Sequence, residues 1–309
     1  MFGAGYMAKE YLNVIKDLNL DVVAISQTSN SAQSIKNEYN IECLEGGYLS
    51  FDSEISDEDI AIVCIPVEKL FSCTKFLIKK GFKKILVEKP GALKINDLEE
   101  LKSLSLKYSS EVLIAYNRRY FSSVEYLRKI LTKEKLVAVN FEISEWTHLM
   151  ELDDYDDEVL KFWFISNTSH VADLVFNISG IPTDLTCTKS GFLDWHPSGS
   201  RFAGSGLTEK NVILSYRGFW DSPGRWSVEF LTKNNKYILC PMEKLSCQKK
   251  GSIEINDINE IDYQLDENYK PGVFKMFESF INGDYSNLCS LEEQIQLIKV
   301  YSKMAGYET

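Results

Sequence analysis

The chain has no run of about eighteen apolar residues, which leaves no candidate for a helical membrane span. It has no Cys-x-x-Cys either. Its seven cysteines, Cys43, Cys64, Cys73, Cys187, Cys240, Cys247 and Cys289, are scattered and odd in number. That pattern gives no zinc site and no disulfide framework, and it reads as reduced thiols in a cytoplasmic protein with no metal centre. Positive charge is short: 34 basic against 45 acidic residues leave a net charge of −11. Without a basic stripe, neither a nucleic acid nor an anionic membrane surface is an expected partner. The first residues do not resemble a signal peptide. The acidic run Asp153-Asp154-Tyr155-Asp156-Asp157-Glu158 lacks the glycine and the distal glutamate of a calcium loop, and reads as a solvated loop. What is present is a 309-residue chain with 44% hydrophobic and 26% charged residues, a globular composition with length enough for two cores.

The first part alternates strand-like and helix-like runs, the pattern of a parallel sheet with crossover helices. The strand candidates are Asp21 to Ile25, Asp59 to Ile65 (stopped by Pro66), Lys84 to Val87, and Val112 to Tyr116. Between them lie helical segments such as Val67 to Lys80, closed by Gly81, and Asn96 to Tyr108. The period then changes. Lys135 to Trp146 alternates strictly, with Val137, Val139, Phe141 and Ile143 on one face, as in a strand of an antiparallel or mixed sheet. Similar runs near 183–189, 211–217, 225–232, 236–240, 243–249 and 259–264 make this part mostly sheet, broken by a helix from Ser169 to Ser179. A capping-box start at Ser290-Leu291-Glu292-Glu293 predicts a closing helix over 290–306, packing back toward the first domain. The expected fold class is therefore α/β: a Rossmann-type parallel sheet over 1–118, then an α+β domain over 119–309 with a large, mostly antiparallel open sheet.

The turn Gly3-Ala4-Gly5-Tyr6-Met7-Ala8 has the form of a dinucleotide turn. Glycines at 3 and 5 permit tight turning and close approach to a pyrophosphate, and Ala8 lets the following helix pack on the sheet. The helix N-terminus then offers amide donors to the phosphates. Only Met1 and Phe2 precede the turn, whereas a strand needs about five or six residues. The expectation is a start lying upstream or a shortened first strand. The next strand ends in Ser26-Gln27-Thr28-Ser29-Asn30, with no acid to bind ribose hydroxyls and repel a 2′-phosphate. NADP is slightly preferred over NAD on that basis, and Ser26, Gln27 and Thr28 are the candidate contacts.

Glu88-Lys89-Pro90 closes a strand at its carboxyl end, where open α/β sheets place their ligands. A lysine there can stabilise a developing alkoxide; the plain alternative is a surface lysine capping a loop. Downstream come Tyr116-Asn117-Arg118-Arg119 and Ser169-His170-Val171-Ala172-Asp173. With the glycine turn and the Ile65-Pro66 strand end, these elements in this order resemble the glucose–fructose oxidoreductase, inositol dehydrogenase and rhizopine-catabolism family (Gfo/Idh/MocA).

The resemblance implies NAD(P)-dependent redox chemistry on sugars, cyclitols or nucleotide sugars, and a homodimer or homotetramer built through the C-terminal sheet. It implies cofactor contacts from Gly3, Ala4, Gly5, Tyr6, Met7, Ile65, Pro66, Glu88, Lys89 and Asn117. Lys89 matches the active-site lysine and His170 the active-site histidine, with Asp173 one helical turn on and able to orient the imidazole. The chain departs at Ser166, where many family dehydrogenases carry Asp, and this leaves the proton relay one carboxylate short. Lys89, Arg118, Trp163, Ser166, His170, Trp195 and His196 are the candidate substrate contacts. All three histidines and all five tryptophans fall between 146 and 226, either as platforms for a sugar ring or as ordinary core aromatics. The Gly- and Ser-rich stretch Trp195 to Arg201, with Gly204 and Gly206 beyond, is either a functional loop or a long hairpin connection. A nucleotide-binding sensor on the same fold and an imine reductase are the competing functions.

Overall fold

The computed structural model describes residues 1–307. The chain forms two compact units, one of Met1–Tyr116 with Val273–Gln296, the other of Asn117–Gly272 with the residues from Leu297 on.

In the first unit, parallel strands β1 (Val23–Ile25), β2 (Glu42–Leu44), β3 (Ile60–Val63), β4 (Lys84–Glu88) and β5 (Glu111–Ala115) alternate with helices α1 (Tyr6–Asp17), α2 (Ser29–Tyr39), α3 (Leu70–Lys80) and α4 (Ile95–Tyr108). The inner strands read as continuous apolar runs because helices cover both faces: Ala61, Ile62, Val63, Ile85, Leu86 and Val87 are all buried. Gly81 ends α3 with a φ of +116°, a backbone geometry that glycine adopts without a Cβ penalty. Cys289–Ser290 adds a short antiparallel edge to β5. Ser290 then caps the helix Leu291–Ala305, its hydroxyl accepting from the Glu293 amide at 3.1 Å.

Met1 and Phe2 hold the place of a first strand. Phe2 bridges β1 and β3 in parallel. Its amide donates to Ile62 (2.7 Å) and its carbonyl accepts from Cys64 (2.8 Å), while the Ile25 amide reaches the Met1 carbonyl at 2.8 Å. Two residues thus join what would otherwise be two separate sheets, in the order β2–β1–Phe2–β3–β4–β5. The Phe2 ring, 2% exposed, fixes that position by packing edge-on against Phe51 and Phe82.

The second unit is an eight-stranded sheet ordered β13–β12–β11–β10–β6–β9–β8–β7. Its strands are β6 (Leu136–Glu142), β7 (Pro182–Ser190), β8 (Arg201–Thr208), β9 (Ile213–Phe219), β10 (Ser227–Thr232), β11 (Asn235–Leu239), β12 (Ser246–Lys249) and β13 (Ile255–Asp257). All neighbours are antiparallel except β6 and β9. The helix Ser169–Ser179 covers one face, with Phe176 edge-on to Phe141 of β6. The other face carries a polar row across three strands: Glu229 of β10, Asn140 of β6 and Ser215 of β9.

Two expectations are corrected. The run 259–264 is not a strand; β13 lies earlier, and Gln264 begins a short helix, Gln264–Asn268. Gly204 and Gly206, read with the Trp195 to Arg201 stretch as loop, instead lie in β8, between two partner strands. A Cβ on Gly204 would come within 2.4 Å of the Tyr216 ring, and one on Gly206 within 2.0 Å of the Asp184 carbonyl. Glycine is there to let neighbouring chain approach, a strand use of the residue that composition cannot separate from a loop.

Candidate functional site

A cleft of about 600 Å³ opens in the first unit. Phe2 through Met7, Ser26, Gln27, Ser31, Gly47, Tyr48, Ile65, Pro66, Lys69, Glu88 and Lys89 line it. Gly3 holds φ +127°, and a Cβ there would meet the Cys64 carbonyl oxygen at 2.3 Å, so the turn closes against β3 only without a side chain. Gly5 is the N-cap of α1, with no side chain satisfying the first-turn amides, and a Cβ on it would meet nothing within 4 Å. Uncapped amides at a helix start beside open space suit a phosphate. The volume lies in the range of cofactor clefts, so the residues present fit a nicotinamide dinucleotide.

Glu88 and Lys89, at the end of β4, also line the cleft. Glu88 accepts from the Tyr11 hydroxyl of α1 at 2.8 Å, and burial together with that carboxylate pushes the Tyr11 phenol well above its ordinary range. The Pro90 carbonyl accepts from the buried Gln294 amide at 3.0 Å, which anchors the turn from a residue far along the chain. Of the expected cofactor contacts, all but two line the cleft. Thr28 instead caps α2, its hydroxyl accepting from the Ser31 amide at 3.3 Å; Ser31, absent from the sequence reading, takes the lining position. Asn117 belongs to the second unit, where its buried amide donates to the Pro271 carbonyl at 2.9 Å.

In the second unit, the helix Ser169–Ser179 presents His170, 9% exposed, and Asp173, 0% exposed. Asp173 takes a two-point bond from Arg119, Nε to Oδ2 at 2.9 Å and Nη2 to Oδ1 at 2.6 Å. The carboxylate expected to orient His170 is therefore also the counter-ion of a buried arginine. Arg128 ties this pair further, donating to the Arg119 carbonyl at 2.5 Å and to Asn177. Arg118, the next residue back, lies 4.8 Å over the Trp226 ring, and that ring stands 6.2 Å from the His170 ring. Trp226 was not among the sequence candidates, because nothing in its local spacing separates it from a core tryptophan. Glu145 accepts from the Asn167 amide and the Thr168 hydroxyl near the same helix start.

The remaining candidates form a different cluster. His196 is fully buried; one ring nitrogen meets the Gly199 carbonyl at 2.7 Å and the other the Tyr307 hydroxyl at 2.7 Å. Desolvation lowers its pKa to about 4. With both nitrogens engaged and no exposed surface, His196 is a clasp within the fold and not a substrate contact. Trp195 stacks on Trp220 at 6.1 Å and meets Trp163 edge-on at 6.1 Å. Trp163 is 6% exposed, and Ser166, 3% exposed, directs its hydroxyl to the Trp163 and Val159 carbonyls. These side chains build core around the aromatic cluster.

Among the described residues no group of His, Cys, Asp and Glu could hold a metal ion, and no helix is long and apolar enough to cross a membrane. No curated protein sequence matches the chain. Solved structures do. A dehydrogenase from Clostridium difficile is 19% identical, with 99% of this chain and 98% of that one covered and a TM-score of 0.77. A UDP-N-acetylglucosamine 3-dehydrogenase from Acidithiobacillus ferrooxidans is 12% identical over 98% and 95% of the two chains, with a TM-score of 0.74. A super-repressor mutant of Gal80p from Saccharomyces cerevisiae is 12% identical over 98% and 93%, with a TM-score of 0.75. The match to the Gfo/Idh/MocA family, described as an oxidoreductase family with an NAD-binding Rossmann fold, spans residues 1–116. Those residues are a Gfo/Idh/MocA-family NAD-binding domain, and the chain as a whole shares the fold of these structures.

Proposed function

We propose that the protein is an NAD(P)-dependent oxidoreductase acting on the hydroxyl or ketone of a sugar, cyclitol or nucleotide sugar. The observation that carries this reading is that the Gly3–Met7 turn and Lys89 line one cleft. A phosphate-seating turn and a cationic group at a strand's carboxyl end are two parts that hydride transfer needs in one place. The bound nicotinamide would accept or deliver the hydride. Gly3, Gly5 and the first-turn amides of α1 would hold the pyrophosphate, and Ser26, Gln27 and Ser31 the adenosine ribose. No acid lines the cleft at the end of β1, so a 2′-phosphate meets no repulsion there, and NADP is slightly favoured over NAD. Lys89 would donate to the substrate oxygen and hold its negative charge, while His170 would take the hydroxyl proton in the oxidative direction. The dehydrogenase from Acidithiobacillus names one nucleotide sugar of the proposed substrate class. We expect a second copy of the chain as partner, through the sheet of the second unit.

The experiment is a parallel fluorescence titration with NADPH and NADH, followed by turnover assays on paired sugar, nucleotide-sugar and imine substrates. Lys89→Met and His170→Ala should each cut turnover about 100-fold or more while dinucleotide binding is retained. Full turnover in both variants would sink the proposal. Binding of dinucleotide with no turnover on any substrate would favour a regulatory protein, a reading kept open by the super-repressor among the structural neighbours.

A further inference from the structure

Arg118 and Arg119 are adjacent in the chain and treated in opposite ways. Arg119 is 1% exposed and fully matched by Asp173. Among the described residues, the Arg118 guanidinium has no hydrogen-bond acceptor and no ion pair; its Nε is buried and unpartnered. Its guanidinium carbon lies over two aromatic rings, 4.8 Å from the centre of Trp226 and 5.9 Å from that of Phe121. Desolvation lowers its pKa to about 10, which still leaves it charged at neutral pH. The indole Nε1 of Trp226 is a second buried donor with no acceptor. Two buried donors left open on neighbouring side chains, one of them cationic, are costly unless something binds them. A planar oxyanion matches the guanidinium edge with two parallel bonds.

The acids around Arg118 do not fill that role. Glu243, Glu145 and Asp173 act on it through space. Asp173 is engaged by Arg119, and Glu145 accepts from Asn167 and Thr168. Glu243, half-buried, makes no hydrogen bond or ion pair among the described residues.

We infer that Arg118, with the Trp226 indole N–H, seats an oxyanion of the substrate, so that the preferred substrates are acidic: a sugar acid through its carboxylate, or a nucleotide sugar through its diphosphate. The inference rests on the oxidoreductase reading, because it takes the ligand of Arg118 to be the substrate. The −11 net charge does not oppose it, since the field at a site is set by its nearest groups. His170, one ring further along from Trp226, then lies beside the seat. Contact with the Trp226 ring restricts the Arg118 side chain beforehand, so less side-chain freedom is lost when the oxyanion binds.

The test is calorimetric titration of the full chain with D-glucuronate, with UDP, and with neutral D-glucose, alongside NADPH and NADH on the same samples. Wild type should bind at least one of the two anionic probes ten or more times tighter than D-glucose. Which of them it binds tells carboxylate from diphosphate. Arg118→Met should abolish the difference, Arg118→Lys should keep a part of it, and Trp226→Phe should weaken it a few-fold while retaining a ring beneath the guanidinium. Thermal melts of each variant separate lost binding from lost fold, and the lysine variant carries the test if the methionine variant does not fold. An anionic preference that survives Arg118→Met overturns the inference. So does a wild type that binds NADPH or NADH yet does not distinguish the anions from D-glucose, the result expected if Glu243 occupies Arg118 in solution. Arg118-dependent anion binding without any NADH or NADPH binding would keep the seat and defeat the oxidoreductase reading instead.

Discussion

The cleft of the first unit and the arginine cluster of the second are built from different parts of the polypeptide. In the cleft, the main chain does the shaping: Gly3 is pressed against the Cys64 carbonyl, and the amides at the start of α1 have no side-chain cap. In the cluster, side chains do it: Arg119 holds Asp173, Arg128 braces Arg119, and Arg118 lies on Trp226. A site shaped by backbone is sensitive to an added methyl group. A site shaped by buried charge is sensitive to a lost partner. The two units should therefore fail under different substitutions.

The largest effect is expected at the Arg119–Asp173 pair. Removing one member of a buried ion pair leaves the other charge unmatched and costs about 3–5 kcal/mol. Arg119→Ala should lower the denaturation midpoint accordingly, and Arg119→Met combined with Asp173→Leu should recover much of the loss, since apolar replacement of a whole buried pair is often near neutral. If the single and double variants melt alike, buried charge is not what holds the cluster. Next in size is His196. Its pKa is lowered from 6.5 to about 4, first by burial, so between those values the unfolded chain takes a proton that the folded chain refuses. This contribution is fully present above pH 6.5 and is lost as pH falls toward 4, for a total of about 3 kcal/mol. Urea titrations at pH 7.5 and 4.5 measure it, and His196→Gln should shrink the difference between them.

The same contrast explains what could be read in advance. The first unit is legible because its signals are local: apolar runs of four or five residues between turn residues, and a glycine turn recognisable by its spacing alone. The Rossmann part of the fold and most of the residues that line the cleft follow from such signals. Gln294, which anchors Pro90, was beyond reach, because a bond across some two hundred positions leaves no trace in local spacing. Ser31 was missed although Thr28, three residues earlier, signals a helix cap. The second unit was harder. Alternation located β6, β7, β9 and β10, but β8 was hidden by glycines whose role is close approach of neighbouring chain. Among the aromatics, His196 and Trp226 exchange the roles their neighbourhoods suggest. The histidine in a Gly- and Ser-rich stretch is a buried clasp, and the tryptophan in an ordinary strand lead carries Arg118. Burial and partner identity decide such cases, and both are properties of the folded chain.

Two glycine substitutions, two residues apart in the chain, separate shaping from binding within the cleft itself. Gly3→Ala places a methyl 2.3 Å from the Cys64 carbonyl at φ +127°, where an L side chain is strained, and should cost about 1–3 kcal/mol of stability along with dinucleotide binding. Gly5→Ala is the smaller and sharper change. Gly5 has φ −85°, which alanine adopts freely, and its Cβ would meet no protein atom within 4 Å. The melting temperature should therefore barely move, a change within about 0.5 kcal/mol. Yet the added methyl occupies the space beside the uncapped amides, where a pyrophosphate would lie. NADH and NADPH affinity should fall about tenfold, or 1.4 kcal/mol, in a protein that is otherwise unperturbed. A Gly5→Ala variant that binds dinucleotide as tightly as wild type would mean that the open space at Gly5 is not the phosphate seat, whatever the sequence of the turn suggests.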